Sequence, residues 1–203
     1  WFVWIYNAEA GRLVQVAPNG LPSDEVAYPL PPDVMQPPMQ IAFSRDARYL
    51  AGCLRDTAGN ASVRVYDFLS QTYVAAYIMP GPIVECSLAR YSFSEDGTRL
   101  AFGVLNHYAY DTADTRPTWE LMVMDLATSV VVNQIQSNSP QVLALGIPDT
   151  GKLPFVVTYQ QTTASFPGLI TFIPVQWGTE GMCEYPSVIW NLTDNTVRQE
   201  GPY

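Results

Sequence analysis

The sequence predicts an all-β chain of four-stranded antiparallel units, and three observations carry that prediction. A phrase recurs: "FSRDARYLA" from Phe43 returns as "FSEDGTRLA" from Phe93. Each copy is followed by a second alternating hairpin, "SVRVYDFLSQTYVAAYIM" from Ser62 and "WELMVMDLATSVVVNQI" from Trp119, so one repeat holds four short strands. Proline and β-branched residues interrupt every candidate for an amphipathic helix of three turns. Four strands per repeat, regular turn signals and tandem repetition point to radially arranged blades, a β-propeller, rather than to a sandwich.

The elements follow in order along the chain. "VWIYNAEAGRLVQV" from Val3 reads as one hairpin, a half blade over 1–16. Next, "APNGLPSDEVAYPLPPDVMQPPMQ" from Ala17 reads as a long connection; its Pro-rich part from Pro29 runs extended because proline fixes φ and withholds a donor. A blade is expected over 39–79, with a strand ending at Phe43, the turn "SRDAR" and the strand "YLAGCL". Another follows over 83–136, where "ARYSF" and "LAFGVL" flank "SEDGTR"; its Asp96-Gly97 is the stronger turn signal, since Gly accepts positive φ. The last, over 141–199, combines "QVLALGIPDTGKLPFVVTYQ" from Gln141 with "SVIWNLTDNTVRQ" from Ser187. Asn7, Asp67, Asp125 and Asn191 then occupy equivalent turn positions, where a short side chain caps backbone N–H groups two residues on. Residues 1–203 thus read as a single partial propeller of about three and a half blades. Rings close with about four to eight, so further blades are expected from sequence outside these residues or from a second chain.

The copy "FSEDGTRLAFGV" followed by "LMVMDLATSVVV" resembles the WD40-like, TolB-type bacterial β-propeller repeat, in which an F-S-P-D-G-K-x-L-A hairpin precedes an I-x-V-x-D-L-x-T-G hairpin. The likeness is strongest at 91–132, extends to 41–79 and 141–199, and is partial at 1–16. Arg45 and Glu95 stand where that family has Pro, and Ala47 replaces the turn Gly. The His and Trp-Asp signatures of strict WD40 repeats are absent, which favours the looser bacterial class.

Composition narrows the function classes. At 48% apolar and 12% aromatic, the chain can bury a core. Net charge is −9 with a single Lys, Lys152, which leaves no basic surface for a phosphate backbone or an anionic bilayer, so no nucleic-acid partner is expected. Charged residues make up 14% against about 25% in ordinary domains, with surface polarity carried by Asn, Gln, Ser and Thr; this suggests an extracytoplasmic protein, secreted, periplasmic or surface-anchored. No apolar run approaches the roughly 18–20 residues of a membrane span. The chain opens on Trp1 in mid-strand, and preceding sequence is expected.

In a blade with strands a to d running outward from the axis, a–b and c–d turns emerge at one end, and b–c and d–a connections at the other. The a–b turns, where Asp46, Asp96 and Asp149 recur, and the c–d turns are short. The long connections, from Ala17, from Leu105 ("LNHYAYDTADTRPT") and from Gln161 ("QTTASFPGLITFIPVQWGTEGMCEYP"), share one end. Long loops on one side mark a working surface. His107, Tyr108, Tyr110, Trp119, Phe166 and Trp177 offer aromatic contact area there, and Asp111 and Asp114 offer acceptors. Cys86 and Cys183 fall on the same end and could pair as a disulfide, with Cys53 buried inside a strand.

Chemical motifs are few. Cys53, Cys86 and Cys183 show no C-x-x-C spacing and have one His to help them, so no metal site or cofactor is expected. His107 has no G-x-S-x-G nucleophile to serve. "DTADT" at 111–115 lacks the Gly and closing Glu of a calcium loop. "NAS" at Asn60 and "NLT" at Asn191 match glycosylation acceptors. No cluster of ligands for an axial site of the lactonase or quinoprotein kind is visible. The sequence therefore favours a non-enzymatic exported module that binds another protein or a cell-surface component. The alternative is the propeller portion of a serine peptidase resembling the prolyl oligopeptidase and dipeptidyl peptidase group, with its catalytic domain elsewhere.

Overall fold

The computed structural model describes residues 3–7, 12–16, 22–29, 40–55, 60–79, 83–89, 91–106, 118–146, 156–160, 168–173, 175–178, 181–184 and 187–200. Strands β1 (Val3–Asn7), β2 (Arg12–Val16) and β3 (Pro22–Pro29) form a three-stranded antiparallel sheet. The first two match the expected hairpin, whereas β3 lies in the stretch read as connection. Its register shifts between Val14 and Val16, the irregularity that lets a Pro-flanked segment pair at a sheet edge.

The first four-stranded sheet runs β4 (Ile41–Phe43), β5 (Tyr49–Arg55), β6 (Ala61–Asp67), β7 (Thr72–Ile78) in sequence order. The second holds β8 (Ile83–Ser87), β9 (Arg99–Asn106), β10 (Thr118–Asp125) and β11 (Val130–Gln136). Its first strand starts earlier than "ARYSF", which contributes only a bridge between Phe93 and Leu100.

The third departs furthest from expectation. "QVLAL", read as a strand, begins in α1 (Pro140–Leu143), with Pro at N1 and Ser139 accepting from the Val142 N–H. Proline's missing donor and fixed φ suit a helix start and spoil a strand. The sheet is then β12 (Val156–Gln160), β13 (Leu169–Ile173), β16 (Val188–Asn191) and β17 (Thr196–Gln199), with a hairpin of β14 (Val175–Gly178) and β15 (Gly181–Glu184) between its second and third strands. "LITFI", read as loop, is β13, with alternating burial.

Turns repeat almost atom for atom. Ser44 Oγ donates to Asp46 Oδ1 at 2.6 Å and accepts from the Tyr49 N–H at 2.8 Å, while Asp46 accepts from the Arg48 N–H at 3.1 Å. In the second copy Ser94, Asp96, Arg99 and Thr98 make the same bonds at 2.6, 2.9 and 3.0 Å. The residue after each aspartate is left-handed, Ala47 at φ 58° and Gly97 at φ 69°. The c–d turns carry a matching left-handed residue, Gln71, Ser129 and Asn195, each four positions after Asp67, Asp125 and Asn191, whose side chains accept from turn N–H groups. The recurrent aspartates are turn formers.

Left-handed backbone costs a Cβ-bearing residue about 1 kcal/mol. Ala47→Gly is therefore expected to stabilise the chain by about 0.5–1 kcal/mol and Gly97→Ala to destabilise it by a similar amount. A Cβ at Gly97 would meet only the Tyr49 ring, at 3.9 Å, so backbone strain alone is tested. Opposite shifts of the urea midpoint are the expected result.

The two central strands of the second sheet are buried on both faces over 100–104 and 121–124, which explains why those stretches are continuously apolar rather than alternating. Leu100, Phe102, Val104, Met122 and Met124 face the first sheet, packing with Ala51, Cys53, Val63 and Val65. Ala101, Trp119, Leu121 and Val123 face the third, packing with Ile170, Phe172, Val188 and Trp190. Each strand thus sends successive residues into two different cores.

Candidate functional site

Strand order divides the connections between two ends of the sheets. At one end lie the tight turns 44–48, 94–98, 68–71, 126–129 and 192–195. At the other, β9 ends and β10 begins, β11 leads into α1, and the β14–β15 hairpin stands between β13 and β16. One connection departs from the expected one-sidedness. Because β13 divides the stretch from Gln161, 161–167 joins the first and second strands of the third sheet and belongs with the turns.

Of the expected contact residues, His107, Tyr108, Tyr110, Asp111, Asp114 and Phe166 lie outside the described residues, as do Asp149 and most of the Pro-rich stretch. Trp177 falls in β14 and Cys183 in β15.

Trp119 is placed differently from expectation. It is 1% exposed and meets Phe172 edge to face, ring centroids 5.5 Å apart. Buried Ser137 fixes its backbone: the Ser137 N–H donates to the Trp119 carbonyl at 2.9 Å, and Ser137 Oγ accepts from the Trp119 N–H at 3.3 Å. Trp119 is a core anchor at the foot of the 107–117 connection and offers no surface for contact. Its place in β10, where odd residues face the third sheet, is the reason.

The Cys86–Cys183 pairing is also corrected, since Cys86 is bonded to Cys53. Cys86 sits inside β8, opposite Val104, rather than in a loop. Its neighbour across the first two sheets is β5, which holds Cys53.

Electrostatics at the turn end are structural. Arg48 Nη2 donates to Asp67 Oδ2 at 2.9 Å and Nε to Oδ1 at 3.3 Å, and the Leu69 N–H donates to the same carboxylate at 2.8 Å. The Arg48 guanidinium, with that N–H, holds the Asp67 carboxyl below its ordinary 3.8. The Ser44 hydroxyl lowers Asp46, and the Thr196 hydroxyl lowers Asp194. At Asp96, burial opposes ionisation but bonds from Ser94 and Thr98 outweigh it. Burial raises Tyr77 and Tyr159. All these groups move away from neutrality, the reverse of what an acid or base working near pH 7 needs.

The sign of the acid response follows. A carboxyl with a lowered folded pKa contributes stability that is complete above its unfolded value and lost as pH falls through the folded one. The urea midpoint is therefore expected to fall below about pH 4. Asp67→Asn, which keeps the turn acceptor and loses the charge, should flatten that fall while lowering the midpoint at pH 7.

Among the described residues no three His, Cys, Asp or Glu side chains gather as a metal would need, and no helix is long and apolar enough to cross a membrane.

By sequence, the chain matches no protein-family model and no curated protein. By structure, it is similar to Pyrococcus horikoshii acylaminoacyl peptidase in its orthorhombic crystal form, with a TM-score of 0.50 and 10% identity over 98% of this chain and 30% of the peptidase. The fold is a β-propeller. The uncomplexed form of that peptidase superposes with a TM-score of 0.49 and 10% identity, over 98% of this chain and 29% of its own. An acylaminoacyl peptidase in complex with Z-Gly-Gly-Phe-chloromethyl ketone gives 0.43 and 10%, over 93% and 33%. This propeller chain thus spans about 30% of the length of the peptidase it matches, and identity so low speaks for the fold alone. The four-stranded antiparallel sheets are its blades.

Proposed function

We propose that this chain is a non-enzymatic propeller module of the looser, TolB-like bacterial kind, exported from the cytoplasm, whose loop-rich end binds another protein or a cell-surface component. The observation that carries the reading is the unequal length of the connections. Among the described residues the c–d turns close within 68–71, 126–129 and 192–195, whereas at the opposite end, beside the short β5–β6 connection, eleven positions separate β9 from β10, α1 follows β11, and a hairpin is inserted between β13 and β16. Loops held on a rigid scaffold are where binding residues concentrate. His107, Tyr108 and Tyr110 supply the aromatic area and Asp111 and Asp114 the polar edge, while buried Trp119 fixes the foot of their loop.

The test uses fluorescently labelled chain and the cells that produce it, read by flow cytometry. Wild type is expected to bind, and the triple variant His107→Ala, Tyr108→Ala, Tyr110→Ala to lose about tenfold or more in apparent affinity. Arg45→Ala with Glu95→Ala, at the turn end, should bind as wild type does. Equal binding by the loop variant, or equal loss by the turn-end variant, sinks the reading.

A second reading takes support from the structural likeness to an acylaminoacyl peptidase over 98% of this chain. Here the module is the propeller portion of a serine peptidase related to the prolyl oligopeptidase and dipeptidyl peptidase group, with the nucleophile in a domain outside these residues. A G-x-S-x-G segment with a later His elsewhere in the same gene would favour it, and a gene of blades alone would exclude it.

A further inference from the structure

Among the described residues, the boundary between the first two blades carries a covalent fastening that its neighbour does not. Cys53 lies in β5, the second strand of one blade, and Cys86 in β8, the first strand of the next. They lie 33 positions apart in the chain and are joined across the boundary with their Cα atoms 5.9 Å apart, a separation natural to disulfides. Both are buried, at 3% and 5% exposure, in the core that the two blades share.

A polar clamp sits beside the bond. The Gln40 carbonyl accepts from the Cys53 N–H at 3.1 Å, and its side-chain Oε1 accepts from the N–H of Leu88, two residues past Cys86, at 2.5 Å. At the turn end of the same boundary, Arg45 pairs with Glu95. That pair is exposed and contributes little, so the covalent link dominates. Between the second and third blades, the Tyr159 N–H donates to the Tyr91 carbonyl and Asn133 Nδ2 to the Leu192 carbonyl beside the second apolar core, and the described residues hold no disulfide there.

We propose that Cys53–Cys86 is a constitutive inter-blade staple, installed during folding in an oxidising compartment by a disulfide-carrying oxidoreductase, and that it fixes the two blades together without relying on ring closure. One cysteine thiolate attacks the carrier's disulfide, giving a mixed disulfide and one carrier thiol. The second thiolate attacks the protein sulfur of that mixed disulfide, forming Cys53–Cys86 and releasing the second carrier thiol. Two protons and two electrons leave the cysteine pair and reduce the carrier to its dithiol. Once formed, the bond is beyond the reach of soluble thiols because both sulfurs are packed among Val63, Phe102 and Val104. The staple is therefore structural, not a redox switch, and reducing compartments would not build it.

The chain is to be made by export through an oxidising compartment and alkylated in denaturant without reductant. The Cys53 and Cys86 peptides should appear joined and unalkylated, with Cys183 labelled. In native buffer, millimolar dithiol should leave the bond intact for hours and cleave it only after urea is added. The same chain made in a reducing cytoplasm should carry both thiols and unfold at a distinctly lower urea concentration, and treatment with an oxidised dithiol carrier should restore the midpoint. Alkylation of Cys53 and Cys86 in the exported protein, rapid native reduction, or equal urea midpoints for the oxidised and reduced chains would each overturn the proposal.

Discussion

Trp119→Ala is expected to destabilise the chain by about 3–5 kcal/mol, the range for emptying a fully buried aromatic site. Trp119 is among the largest side chains buried in the second core, in edge-to-face contact with Phe172 and alongside Val188 and Trp190. The β10 backbone is held on both sides, by β9 and by Ser137, so the space cannot close by local collapse. Trp119→Phe, which retains a ring for Phe172 to meet, should recover much of the loss. The urea midpoint with an unchanged slope is the measurement. A change within about 0.5 kcal/mol would return Trp119 to the surface role that its position beside a Tyr-rich loop suggests.

Cys53→Ala combined with Cys86→Ala is expected to cost about 3–4 kcal/mol, the loop-closure entropy of a link spanning 33 positions in the chain-entropy description of disulfides. The substitutions remove two buried sulfurs and leave no polar group behind, so the constraint on the unfolded chain is the main quantity changed. Removing Gln40's side-chain acceptor as well, with Gln40→Ala, should add less than the sum of separate effects, because the two fastenings hold the same boundary. Loss from the double cysteine variant confined to a few tenths of a kcal/mol would show the core to be sufficient by itself.

These two sites also mark where reading the sequence succeeded and where it stopped. The duplicated "FSRDARYLA" and "FSEDGTRLA" reveal their hairpins because turn chemistry is local: Ser, Asp and a left-handed third residue reproduce the same hydrogen bonds within six positions. The departures at Arg45 and Glu95 gain a meaning only in three dimensions, where the two replacements for Pro meet. The third blade is hidden in the sequence because "QVLAL" alternates acceptably as a strand, and only Pro140 capped by Ser139 argues otherwise. Taking that segment as the first strand shifts every later strand by one place in the blade, so that β13 reads as loop and 161–167 as a connection of the opposite end. Trp119 reads as a contact residue because it follows a loop in sequence, while the β10 register turns it inward.

The amino-acid sequence by itself determined the local layer of this protein: strand alternation, the aspartate-led turns, the four-strand repeat and hence the propeller fold. Such features depend on residues a few positions apart, where steric and hydrogen-bonding preferences act directly. Tertiary structure alone decided which faces of each blade meet, which cysteines bond, and whether an aromatic beside a loop is core or surface. Those outcomes depend on register and on packing between segments thirty or more residues apart, and a one-residue change in strand start sends every side chain to the opposite face.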